Sequence, residues 1–215
     1  MRDSANSSRS AIRFLLVSLF FCLAPPALCQ QPSPTLPPVK IVRFSGSMVS
    51  FVASIAQAYG ATIGLEIDTT EPNPNLEIAV DDATIEDVLN AVVKFKPTYS
   101  WSKSTNAFAL FPKDRRNPLL DTVIASFQVS DVDHADAVNK LLSLPDVEAK
   151  MIAARLYRVL ATNQVETNAK RISLRLSNVT MRQVLDSIAN DSGSRFWILQ
   201  RTGVKGEFLS VRASY

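Results

Sequence analysis

The sequence predicts an α+β protein made of two tandem small domains, each of two strand-helix-strand units with helices packed on small sheets. Three observations carry this expectation. Short stretches alternate apolar and polar residues, the period-two mark of a half-buried strand. Capped stretches with apolar residues at helical spacing follow them. The pattern also recurs: adding 96 maps Leu76, Ile78 and Val80 onto Ile172, Leu174 and Leu176. The same offset maps Thr84, Val88, Leu89 and Trp101 onto Thr180, Val184, Leu185 and Trp197. With 47% hydrophobic and 20% charged residues, the chain of 215 has ample material for a core. Only 6 residues are glycine, which excludes collagen-like composition.

The elements follow in chain order. Arg2, Arg9 and Arg13 precede the apolar run FLLVSLFFCLA, and Ala27-Leu28-Cys29 closes it. A basic start, a short apolar stretch and small closing residues form a secretory signal, so residues 1–29 are expected to be removed before Gln30. The run is short for a membrane span, although a retained N-terminal anchor is the alternative. Both cysteines, Cys22 and Cys29, fall in the removed part, leaving the mature chain without a thiol or disulfide. Export without disulfides suits a bacterial periplasm, or secretion from a bacterium. Residues 30–39 are a proline-rich linker.

Residues 40–112 form the first expected domain. VKIVRFSG reads as a strand, Ser47 caps a helix that Gly60 ends, and ATIGLE returns as a strand. LEIAVDD is the next strand, Thr84 and Asp87 cap a second helix, and strands are expected around 98–102 and 107–111. PKDRRNP, with a proline at each end, separates this part from the second domain, 119–215. There TVIASFQV is a strand, Asp133 caps a helix, and Pro145 is expected to stop it. Residues 146–170 read equally as helix or part strand. SLRLS alternates as a strand, and Thr180 with Gln183 forms a capping box. Gly193 ends that helix, and Phe196–Leu199 and GEFLSVR are the final strands.

The net charge of +3 is too small to mark a dedicated nucleic-acid binder. The charge is uneven, however. Residues 150–215 carry 11 basic and 4 acidic side chains, against 1 basic and 6 acidic over 121–149. A solvated surface explains this. A basic face for an anionic envelope polymer is the sharper reading.

Chemistry-bearing residues have structural explanations. His134 and Asp131, Asp133 and Asp136 surround a helix start, where acids cap and support the dipole, and the glycine and distal glutamate of a calcium loop are missing. Asp81, Asp82, Glu86 and Asp87 lie at a strand end and a first helical turn. Trp101 and Trp197 could stack on a sugar or base, but their equivalence in the repeat points to a shared packing place. Asn178-Val-Thr180 is a glycosylation sequon, with Thr180 already accounted for as a cap. No nucleophile elbow, zinc-protease motif or phosphate loop is present. The expectation is a non-enzyme with no catalytic, cofactor or metal residues and no small-molecule substrate. After signal removal no stable membrane span is expected.

FSGSMVSFVASIAQAYGATIGLEI, LEIAVDDATIEDVLNAVVKFKPTYSWSKSTNAFALFP and SLRLSNVTMRQVLDSIANDSGSRFWIL resemble the short N-terminal domain shared by secretins and TonB-dependent transducers. The resemblance covers most of residues 40–212, as two copies without a pore or receptor barrel. It implies docking onto a protein partner of the cell envelope, in secretion, transport or signalling assembly. Within the chain, the closing strand GEFLSVR is expected to be an uncovered sheet edge, because nothing follows to pair with it. Lys205, Ser210 and Arg212 are therefore the expected partner-binding residues, with Lys205 and Arg212 steering an acidic partner.

Overall fold

The computed structural model describes residues 39–68, 75–114, 116–159 and 170–212. The expected signal sequence and nearly all of the expected proline-rich linker lie outside these residues.

The first half runs β1 (Val39–Ser47), α1 (Met48–Tyr59), β2 (Thr62–Asp68), β3 (Asn75–Ala83), α2 (Ile85–Phe95), β4 (Tyr99–Lys103) and β5 (Ala107–Pro112). Local chemistry sets the boundaries. The Ser47 hydroxyl accepts from the Ser50 N–H at 3.1 Å and opens α1, and Gly60 closes it at φ 62°, where a Cβ is disfavoured. Thr84 and Asp87 form a reciprocal capping box on α2. Burial in β3 alternates, with Leu76 and Ile78 inward.

A 3-10 turn at Pro118–Asp121 leads into the second half. This runs β6 (Val123–Val132), α3 (His134–Leu142), α4 (Pro145–Ala153), β7 (Tyr157–Arg158), β8 (Ile172–Thr180), α5 (Met181–Ser192), β9 (Phe196–Thr202) and β10 (Phe208–Arg212). Asp133 caps α3 through the Asp136 N–H at 2.8 Å. The capping box of Thr180 and Gln183 opens α5, and Gly193 closes it at φ 82°. Pro145, expected only as a stop, also opens α4, because a first-turn residue has no N–H bond to lose. The undecided stretch after it resolves into the rest of α4 and the two-residue β7, up to where the description ends at 159.

The α+β class is as expected. The division into two modules is not what the strands display. β1 pairs with β3, and β6 with β8, as two antiparallel ribbons. The other described strands join one six-stranded sheet in the order β4-β5-β2-β9-β10-β7. Its centre is a parallel ladder between halves, β2 with β9, from Ile63–Phe196 to Asp68–Arg201. The described residues all fall within one compact unit.

β9 explains the join. Phe196 and Ile198 point into the core built by α1, α2, β2 and β5. Trp197 and Leu199 point the other way, into the core of α3, α4 and α5. The helices of the two halves thus cover opposite faces of one sheet. The run FWIL suits a strand buried on both faces, and each such side chain contributes about 1.5–3 kcal/mol on burial. At Gly64 the backbone of β2 passes under the Trp197 ring, and a Cβ there would lie 2.1 Å from the indole. Beside it the buried Glu66 carboxylate receives the Arg182 guanidinium of α5 at 2.7 Å and the Asn117 N–H at 2.8 Å.

Candidate docking surface

Among the described residues, the opposed helix layers leave part of the sheet uncovered. In the second half, the residues of β10 and β7 that face α3 and α5 are Leu209, Val211 and Arg158. Leu209 and Val211 are buried, and the Arg158 guanidinium bonds the Asn139 carbonyl and side chain and the Ser143 hydroxyl near the end of α3. Period two sends their neighbours to the other face. There β9 contributes Gln200 and Thr202, β10 contributes Phe208, Ser210 and Arg212, and the β7 segment contributes Tyr157 and Val159. Helices α1 and α2 cover the first-half end of this face, up to Ile198. Beyond it Tyr157, Phe208 and Val159 are 63%, 42% and 42% exposed. The Tyr157 and Phe208 rings pack together with centroids 6.1 Å apart. The face carries Arg212 and no acidic side chain among these seven residues, and the adjoining turn presents Val204 and Lys205 to solvent.

The expected partner residues fall on this surface in part. Ser210, half-buried, and Arg212, exposed, lie on the bare face, while Lys205 is in the β9–β10 turn. The expected edge is corrected. β10 is not an outer strand over Glu207–Leu209, because β7 lies along it in parallel. Tyr157 and Val159 donate their N–H groups to the Glu207 and Leu209 carbonyls at 2.6 and 2.9 Å. A strand from earlier in the chain covers the closing one. The edge strands of the described sheet are β7 and β4. Tyr157 and Phe208 were not among the expected partner residues, although Phe208 lies in the strand expected to form the edge. The alternation in LYRV, with Leu156 inward and Tyr157 outward, is the signal that exposes them.

The other candidates occupy structural places. His134 is the first residue of α3, after the Asp133 cap. Glu86 pairs with Lys103 at 2.8 Å, which holds its carboxyl below the usual range. The Thr84 hydroxyl and N–H do the same for Asp87. No three His, Cys, Asp or Glu side chains gather as a metal site among the described residues.

An open groove of about 980 Å3 lies between the β4–β5 turn and α5, lined in part by Glu86, Lys103, Asp186 and Arg195. Burial pushes the Asp186 carboxyl up to about 6, against the opposing pull of the Trp197 N–H and Arg182. A near-neutral carboxyl is what a general acid needs. Yet Asp186 accepts from Trp197 Nε1 at 2.7 Å, as Asn90 accepts from Trp101 Nε1 at 2.9 Å. The two acceptors are 96 residues apart, so the carboxyl occupies a repeated packing position that a neutral amide fills equally well.

No helix among the described residues is long and apolar enough to cross a membrane. Comparison of the chain with protein-family models, curated proteins and solved structures finds no match.

Proposed function

We propose that the chain is an exported, non-catalytic docking protein that binds a protein partner of the cell envelope through the bare sheet face of its second half. The observation that carries this reading is the exposed Tyr157–Phe208 pair with Val159, set on the sheet where β7 forms its edge. Exposed aromatic clusters on ordered backbone anchor protein interfaces, and tyrosine is enriched among residues that dominate binding. The outward backbone groups of β7 can extend the sheet into a partner segment. Arg212 and Lys205 steer an acidic partner to the site, and the apolar pair supplies most of the affinity. The secretory pattern of residues 1–29 supports export. The resemblance to the short N-terminal domain of secretins and TonB-dependent transducers supports an envelope assembly role.

The test is a photo-reactive phenylalanine analogue in place of Tyr157, with the same group at exposed Gln128 on β6 as control. Irradiation in envelope extract is expected to give a discrete protein adduct from position 157 only, lost on Phe208→Ser. That adduct should persist in high salt. An adduct from both positions alike, or none from 157, overturns the proposal. Capture that collapses with salt assigns the face to an anionic polymer through the basic 150–215 region instead.

A further inference from the structure

The repeat supplies its own template for a second binding site. α2 and β4 are the counterparts, 96 residues earlier, of α5 and β9. Both helices open on a threonine capping box, and both tryptophans bond a side chain on the helix. The difference is on the outer side. β9 receives β2 as a parallel neighbour, whereas β4 ends the sheet and no described strand lies beyond it. Trp197 is fully buried under that neighbour, while Trp101 is only partly buried.

The internal seat shows what an incoming strand must carry. Opposite Trp197 stands Gly64, where any side chain would strike the ring. Two residues on, Glu66 meets Arg182, the second residue of α5. The counterpart of Arg182 is Glu86, the second residue of α2, so the charge at the vacant seat is reversed. One Glu86 oxygen holds Lys103 at 2.8 Å, and a carboxylate accepts more than one donor, as Glu66 does. The Glu86 side chain is 34% exposed and open to a second cation.

We infer that the outer edge of β4 is a seat for a parallel strand of a partner protein bearing glycine opposite Trp101 and lysine or arginine two residues later, facing Glu86. The strand adds to the sheet through its backbone, as β2 does to β9. Glycine lets it pass beneath the indole, and the cation sets register and specificity. The chain's other edge does not meet this requirement: residues 155–170, which hold β7 and the sequence after it, contain no glycine, so β7 of a second copy cannot set one opposite Trp101. This site is separate from the face around Tyr157 and does not rest on that proposal.

The test uses the full chain and three labelled eight-residue peptides built on Ala61–Asp68. One has the native sequence, one carries Lys in place of Glu66, and one carries that lysine and Val in place of Gly64. Fluorescence anisotropy reads binding. The lysine peptide is expected to bind about tenfold tighter than the native one, and the valine peptide at least about tenfold weaker than the lysine one. A Glu86→Arg chain should reverse the preference, so that the native peptide binds better than the lysine peptide. Glu86 is at the surface, and circular dichroism checks that this variant folds. No saturable binding by the lysine peptide, equal affinity for the lysine and valine peptides, or an unchanged preference in Glu86→Arg overturns the inference.

Discussion

Replacing Asp186 with asparagine tests the repeat at its most sensitive point. The carboxyl of Asp186 is raised from an ordinary 3.8 to about 6, chiefly by burial. The folded state therefore holds this proton more tightly than the unfolded chain. The stability this contributes is fully present below about pH 3.8 and is lost as pH rises through about 6. A displacement of roughly two units corresponds to about 3 kcal/mol across the full window. Asparagine keeps the acceptor for the Trp197 N–H, as Asn90 does for Trp101, and removes the titration. The stability of Asp186→Asn relative to the native protein should therefore rise by about 2–3 kcal/mol between pH 4 and pH 7.5. Urea unfolding followed by circular dichroism at a series of pH values measures this difference. Other carboxylates, including Glu86 and Asp87 with their lowered pKa values, cancel in the subtraction. A difference that stays flat within about 0.5 kcal/mol, or falls with pH, would refute the account of a buried carboxylate held at a cost.

Further outcomes follow from the same packing. Leu89→Ala and Leu185→Ala, both fully buried, should each lose about 2–5 kcal/mol in chemical denaturation. Gly64→Val should destabilise by more than about 3 kcal/mol, since the indole of Trp197 leaves no room, and near-ultraviolet dichroism should show that tryptophan displaced. Arg182→Met should lose about 3–5 kcal/mol in urea unfolding, because the buried Glu66 carboxyl is left without its guanidinium partner. His134→Ala should leave the yield of the photo-adduct from position 157 unchanged.

Much of the fold was legible because its signals are local. Ser47, Thr84, Asp133 and Thr180 announce helix starts by their own side chains, and Gly60 and Gly193 announce ends by their backbone freedom. The β2–β9 ladder was not legible as a join, because it links Ile63 to Phe196 across 133 positions. Its trace in the sequence is the unbroken apolar run Phe196–Leu199, which suits a strand with a core on each side. The candidate surface was half legible. Ser210 and Arg212 share a face by simple alternation, but Tyr157 reaches them only through the parallel addition of a two-residue strand. Nothing local marks where so short a strand will pair.

The most direct measurement is the dissociation constant of the protein captured at position 157, for the native chain and for Tyr157→Ser/Phe208→Ser. It should be taken at salt concentrations of roughly 0.05 and 0.5 M. The docking account predicts that the paired substitution weakens binding by about a hundredfold or more, while the native affinity changes less than about threefold with salt. A paired variant that binds within about threefold of the native chain, or a native affinity that falls about a hundredfold with salt, would contradict it.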